Sequence, residues 1–566
     1  MKRQVLAPLS LSLFALLMIG RVTGTPTARA EDTADLILDR GVFYPVVPRE
    51  PVAGSLAVRD GRIVYLGPAA GAGALRGDDT EVVDLAGRVV IPGLIDAHSH
   101  LAALGAALVQ VDLMGAPTFE EVVTRIVRAA EGLAPGEWVF GRGWDQNLWP
   151  GKAFPHHRAL SAAVPDHPVW VNRVDGHAAL LNARAMSELE IPADVVDPSG
   201  GRFLRDDAGA LTGVLIDNAM DLPRGNLPAP SDEELRRRIR RAADTCVALG
   251  LTTVTDMGVG DPTIEAYRAL AEAGELPLRA ALFLGDFDEL LDAWFERGPW
   301  IDPQGRVTVR GIKLYADGAL GSRGAALIEP YSDDEGNLGL LTATGDHLLE
   351  VAKRALETGF QVGIHAIGDR GNLVTLDALE AAFGEPRPEA RFRIEHAQVM
   401  RLADIERMAR LGVIASMQPT HATSDMPWAG DRVGPRRLAG AYAWRKVLDA
   451  GGRLAFGSDF PVERPDPRLG LYSALTRQDL DGQPAGGWLP GERLTWPETL
   501  QAFTLDAAYS LFLEDEIGSL EIGKRADLVV FEGDPGRLSP TAIPTLAVDL
   551  AVVDGEVVYR REESIP

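Results

Sequence analysis

GLIDAHSH (residues 93–100) is a short apolar run closing on two histidines, and runs of the same texture recur along the chain. They read TTVTDMG (252–258), RAALFLG (279–285), GIKLYADG (311–318), QVGIHAIG (361–368), FRIEHAQ (392–398), VIASMQP (413–419) and LAFGSDFP (454–461). Each is rich in Val, Ile, Leu or aromatic residues and is bounded by Gly, Pro or Asp, which suits a strand buried on both faces. Helical stretches lie between most of them. Residues 346–358 space Leu348, Leu349, Ala352, Ala355 and Leu356 at helical intervals before Gly359, and residues 402–411 do the same with Leu402, Ile405, Met408 and Ala409 before Gly412. A glycine in that place is a helix stop. Eight strand–helix repeats predict an α/β fold, a TIM (β/α)8 barrel, whose chemistry gathers at the C-terminal ends of its strands. His98, His100, Lys313, His365, His396 and Asp459 stand at those ends.

Outward from the barrel, the 566 residues leave room for more than one unit, since a barrel takes about 250. Residues 1–30 read as a signal peptide: Lys2 and Arg3, an apolar stretch from Val5 to Ile19, then Ala28-Arg29-Ala30, a small-x-small cleavage pattern. Export to the periplasm or the medium is expected. The apolar stretch is shorter than the roughly 20 residues that span a bilayer, so no stable membrane insertion is expected after cleavage. Residues 31–90 and 519–566 share alternating β-like runs and Asp-Gly turns at 60–61 and 554–555, and together predict one composite β-sandwich beside the barrel. The barrel itself is assigned to 91–111 and 246–518. Between its first two strands, residues 112–245 are far too long for a βα loop of about 2–6 residues and read as an inserted lid.

Composition narrows the function further. Helix 231–249, opened by Ser231 and Glu234 as a capping-box pair and closed by Gly250, carries the run RRRIRR (236–241). With a net charge of −25 the chain repels phosphate backbones, so the run is a solvated helix face and nucleic-acid binding is rejected. Cys246 is the single cysteine, which excludes an intrachain disulfide and reads as a core residue. The expected partner is a small molecule, with a homodimer compatible with the sequence.

The residues at the strand ends point to a metal centre. His98 and His100, two apart on a strand, face the same side and can share one ion. Asp459, in the last run, can ligate an ion and exchange protons with water; its plain alternative is a solvated turn aspartate. Lys313 is costly as a buried ammonium, and a neutral amine can take up CO2 to become a carbamate that bridges two metals. Its alternatives are a lysine that binds substrate and a single-metal site without the carbamate.

The set resembles the amidohydrolase superfamily, in its amidohydrolase 3 branch, which includes N-substituted formamide deformylases. The resemblance rests on IPGLIDAHSH (91–100), GRGWDQNLW (141–149), VNRVDGHAALLN (171–182), KLYADGALGSRGA (313–325), IHAIGDR (364–370), RIEHAQ (393–398), GSDFP (457–461) and IGSLEIGKRADLVV (517–530). It implies two divalent ions of zinc type, with His98, His100 and Asp459 on one, His365 and His396 on the other, and carboxylated Lys313 shared. It implies hydrolysis of a non-peptide C–N bond, in a linear amide such as an N-substituted formamide or N-acyl compound. The attack would come from metal-activated hydroxide, with Asp459 as proton shuttle.

Within the same motifs Trp144, Asp145, Gln146, Arg173 and His177 are candidates to roof the pocket, Arg323 to bind a substrate carboxylate, and Gln418 to touch substrate. Core packing, loop hydrogen bonds and a structural ion pair are their plain alternatives. Ring deamination is disfavoured because Gly368 stands where related deaminases place a Glu. A lactonase, esterase or phosphotriesterase-like hydrolase stays open, as does a non-catalytic exported metal-binding or regulatory protein.

Overall fold

The eight apolar runs form eight parallel strands: β1 (Leu94–Asp96), β2 (Leu251–Val259), β3 (Arg279–Leu284), β4 (Val307–Tyr315), β5 (Gln361–Ala366), β6 (Arg393–His396), β7 (Ile414–Met417) and β8 (Leu454–Phe456). They pair in sequence order from β1 to β8, every one in parallel. The resulting barrel is nearly closed. Across the seam between β8 and β1, Ala97 N–H donates to Phe456 O at 3.0 Å and Asp459 N–H to His98 O at 2.7 Å, which draws the two ends together. This is the computed structural model of residues 33–562, except 199, 225, 226, 228 and 229. The signal peptide expected over 1–30 lies outside the described residues.

The helices end where glycine lets them. Gly345–Thr358 stops at Gly359 (φ 83°) and Leu402–Leu411 at Gly412 (φ 78°), both in the left-handed region, where a side chain would be strained. Leu348, Val351, Ala352 and Ala355 of the first and Ile405, Met408 and Leu411 of the second turn inward. Leu402, expected on the buried face, is half exposed.

Both chain ends meet in one eight-stranded sheet. Val89–Pro92 from the amino-terminal side pairs antiparallel with Leu528–Phe531 from the carboxy-terminal side. A single core joins Leu38, Leu56, Ile63, Val83 and Val90 to Leu528, Val530, Leu550 and Val552. Hydrogen bonding runs continuously from the amino-terminal strands to the carboxy-terminal ones. Asp60-Gly61 (φ 51° and 73°) and Asp554-Gly555 (φ 53° and 77°) close its hairpins, since positive φ at both central residues matches the strands' twist.

Between β1 and β2 the chain builds a six-stranded sheet from Val111–Asp112 to Leu211–Asp217, with its own cores around Trp144 and Trp170. Helix Asp232–Ala248, at the end of the expected insertion, instead packs Ile239, Ala242, Ala243, Cys246 and Val247 into the barrel's core. Ser231 caps it, accepting from Glu234 N–H at 3.2 Å. The capping box is only half made, because the Glu234 carboxylate turns to Arg238. No helix among the described residues is long and apolar enough to cross a membrane.

Candidate metal centre

Six side chains reach the C-terminal mouth of the barrel by different routes. Lys313 and His365 lie within β4 and β5, and His396 ends β6. His98 and His100 lie beyond the end of β1, not on the strand as the spacing suggested. Asp96 holds that segment. Its Oδ1 accepts from His98 N–H at 3.2 Å and Ser458 N–H at 3.0 Å, and its Oδ2 accepts from Ser458 Oγ at 2.6 Å, tying the β1 end to the GSD segment after β8. His396 and Asp459 carry φ of 73° and 61°, a conformation costing of order 1–3 kcal/mol that persists where the surroundings impose it.

The imidazoles converge on the aspartate. Asp459 Oδ1 is 3.2 Å from His100 Nε2 and 3.5 Å from His98 Nε2. His98, His396 and Asp459 each offer a ligand atom within 4.8 Å of the others, the one such group among the described residues. The His365 and His396 ring centroids are 4.6 Å apart. Lys313 is 1% exposed, and Glu395 and Asp459 are the carboxylates that bear on it.

Hydrogen bonds decide which nitrogen each ring presents. His98 Nδ1 faces Glu395 Oε2 at 2.6 Å, His100 Nδ1 faces Met257 O at 3.1 Å and His396 Nδ1 faces Gln418 Oε1 at 2.8 Å. These oxygens accept, so each Nδ1 carries the proton and each Nε2 keeps a lone pair for the centre. His365 is reversed. Its Nε2 lies 3.4 Å from Gly318 O, which leaves Nδ1 as the lone-pair nitrogen.

Charge follows the same pattern. Burial, then Lys313, brings the His98 imidazole down to about 4. Burial also holds His365 and His396 well below the ordinary histidine value, so the rings are neutral at pH 7. For Lys313 burial outweighs the pull of Glu395 and Asp459 and lowers the amine to about 8. Burial opposes ionisation of Asp459, yet the contact with His100 at 3.2 Å and the neighbouring His98 and His396 rings keep its carboxyl well below the usual range. Neutral imidazoles around an ionised carboxylate are a donor set for a cation. His98 Nε2, buried with no hydrogen-bond partner, is the orphan that such an ion would satisfy.

Several participants escape a reading by spacing alone. Glu395 is fully buried between His98 and Arg393, whose Nε and Nη2 donate to it at 2.7 and 2.9 Å. Gly363 leaves it room, since a Cβ there would stand 2.5 Å from Glu395 Oε1. The signal was present: an Arg and a Glu two apart on a strand buried on both faces must meet inside. His421, on the helix after β7, has Nε2 3.7 Å from Asp459 Oδ2. Arg142, in the insertion, bears on Asp459 and donates to Val174 O at 2.9 Å.

The expected substrate contacts separate into groups. His177 is the insertion residue whose charge bears on His365, and its Nδ1 is 2.9 Å from Asp217 Oδ1. Arg173 is tied to Gln146, Asp145 and Asp175, so Asp145 is spent on an ion pair and on the Asn147 N–H. Trp144 is 0% exposed, stacks on Trp149 and donates its indole N–H to Val171 O, so it belongs to the insertion's core, its plain alternative, and is not exposed to a pocket. Arg323 is likewise engaged, its guanidinium paired with Asp333 at 3.0 Å. Gln418 holds the His396 ring through Oε1, while its Nε2 is buried with no hydrogen-bond partner.

Residues 81–559 match the amidohydrolase family. The chain is 33% identical to protein LONG AFTER FAR-RED 3 of Arabidopsis thaliana, over 89% of this chain and 88% of that protein. It is 29% identical to the N-substituted formamide deformylase of Arthrobacter pascens, over 94% and 99% respectively. The crystal structure of an uncharacterized metal-dependent hydrolase from Pyrococcus horikoshii superposes with a TM-score of 0.75 at 30% identity, covering 89% of this chain and 99% of that one.

Proposed function

The chain belongs to the amidohydrolase family, and on that footing we propose an exported hydrolase that cleaves a non-peptide C–N bond, in a linear amide of the N-substituted formamide or N-acyl type. One observation carries the reading: three imidazoles, with their outer nitrogens fixed by acceptors, turn their remaining nitrogens toward a single ionised aspartate. The formamide deformylase similar over nearly its whole length supports the choice of bond.

Zinc is the proposed ion, because imidazole nitrogens and a carboxylate in small number suit it. His98, His100 and Asp459 would hold one ion, and His365 and His396 a second. Lys313 is proposed to add CO2 through its neutral amine, losing a proton to become a carbamate shared by both. A divalent ion supplies Lewis acidity and lowers the pKa of a water it binds from about 15.7 to about 7.

The chain's own residues do the rest. Asp459, ionised and in contact with two imidazoles, takes a proton and returns it to the leaving nitrogen, which otherwise departs as a poor amide anion. Glu395, Met257 and Gln418 keep the rings from turning. The insertion roofs the mouth, bringing Arg142 and His177 toward the reacting groups.

The test is a side-by-side assay of zinc-loaded protein on N-substituted formamides, N-acyl amines, lactones, phosphotriesters and ring amines. Linear amides should turn over fastest. Turnover of only lactones or phosphotriesters would replace the reading with that chemistry. No turnover of any, with zinc bound, would leave a binding protein. Export is tested by N-terminal sequencing of the secreted protein, which should begin near Glu31.

A further inference from the structure

Asp459 has two carboxylate oxygens with different surroundings. Oδ1 faces His98 and His100, whereas Oδ2 is turned toward His421, whose Nε2 lies 3.7 Å away. His421 stands in the first turn of Pro419–Asp425, the helix following β7. Its side chain is 12% exposed, and its ring lies 5.9 Å from that of His396 at an interplanar angle of 18°. The Nε2 atom is buried and has no hydrogen-bond partner, which native interiors seldom tolerate without a use.

The neighbouring acids are already occupied. Asp425 accepts from Gln398 Nε2 at 2.7 Å and Tyr442 OH at 2.8 Å, and Glu463 accepts from Ser424 Oγ at 2.6 Å. Among the described residues Asp459 is the one carboxylate within 4.0 Å of a His421 ring nitrogen. His421 therefore addresses the aspartate through Oδ2, the oxygen that does not face His98 and His100.

We infer that His421 is a positioning residue of the metal centre, its Nε2–H held for Asp459 Oδ2 so that Oδ1 stays turned toward the paired histidines. A carboxylate rotates in a broad, roughly two-fold well about its terminal bond. The positive φ of Asp459 directs its Cβ but leaves that rotation free. One anchored oxygen removes it. The inference rests on the reading of His98, His396 and Asp459 as ion ligands, and it makes His421 an outer partner of the kind that governs metal affinity.

The experiment measures zinc affinity by competition with a chromophoric chelator on the full chain, for wild type, His421→Ala and His421→Gln, beside the melting temperature of each metal-free protein. His421→Ala should weaken zinc binding by roughly 10- to 100-fold. His421→Gln, which keeps an N–H donor, should regain most of it, and the metal-free melting temperatures should agree. Affinity within twofold of wild type in His421→Ala overturns the inference. So does an equal loss in both variants accompanied by an equal fall in metal-free melting temperature, which would make His421 a packing residue. Wild type that retains no zinc sinks the metal reading and this inference together, whereas wild type and His421→Ala retaining it equally sink the inference alone.

Discussion

At the N-terminal end of the barrel Arg279 is buried with an acceptor for every nitrogen; at the C-terminal end His98 is buried just as deeply with one nitrogen left over. Arg279 opens β3 and donates through Nε and Nη2 to Asp527 at 2.6 and 3.0 Å, through Nη1 to Gly305 O at 2.9 Å, and to Asp554. Asp554 sits in the hairpin turn of the flanking sheet and also pairs with Arg525 and Arg306. That cluster joins barrel to sheet. At the other end His98 Nε2, His421 Nε2 and Gln418 Nε2 are buried without partners, and His396 and Asp459 hold strained backbone. Arg279 is fully satisfied where cohesion is needed, and the polar atoms at the mouth are left open where something else is to bind.

Variants at the two ends separate cohesion from ligand binding. The largest effect is expected for Asp459→Asn, which should lower kcat by about 10²- to 10⁴-fold while KM stays near wild type. Steady-state kinetics on the best amide, with bound zinc measured alongside, decides it, and wild-type kcat would end the proton-shuttle role.

Arg279→Met should instead unfold the protein more readily. It strips the buried Asp527 carboxylate of its ion-pair partner, a loss of about 3–5 kcal/mol. Urea titration reads the loss, and zinc affinity of the folded fraction should be unchanged. A matching loss of zinc affinity would show that the two ends are coupled after all.

Glu395→Gln lies between the extremes because Glu395 serves both purposes, pairing with Arg393 and holding His98. It should weaken zinc binding by about 10- to 100-fold, read by chelator competition. It should also lower metal-free stability, because Arg393 loses its buried charge partner.

The smallest effect is in acid. Burial opposes ionisation of Asp554, but Arg279, Arg525 and Arg306 hold its carboxyl below the ordinary value of 3.8. A depressed carboxyl contributes stability that is complete above the unfolded value and is lost as pH falls through the folded one. Metal-free protein should therefore lose stability below about pH 4 with a steeper slope in wild type than in Asp554→Asn, by urea midpoints across that range. Equal slopes would remove Asp554 from the junction's account.

The barrel was legible because its strands are buried on both faces, so apolar runs punctuated by glycine repeat without interruption, and the histidines, lysine and aspartate interrupt them at one end. The outer partners were less legible. Glu395 and Arg393 hinted at themselves as charges two apart in a buried strand, but Gln418 is an ordinary polar residue at a strand end until His396 is seen beside it. Trp144 takes the plainer of its two readings, because its position in a motif cannot tell a pocket wall from a core residue and the packing can.

Local features follow from the chain alone: strand period, helix stops, the Asp-Gly hairpins and the kinds of ligand available. Packing in three dimensions fixes which nitrogen each imidazole presents, which oxygen of Asp459 faces which ring, and that His421 from a different helix stands beside it. Such choices depend on atoms more than 20 positions apart meeting within about 4 Å, and no pattern along a chain encodes a contact that only barrel closure creates.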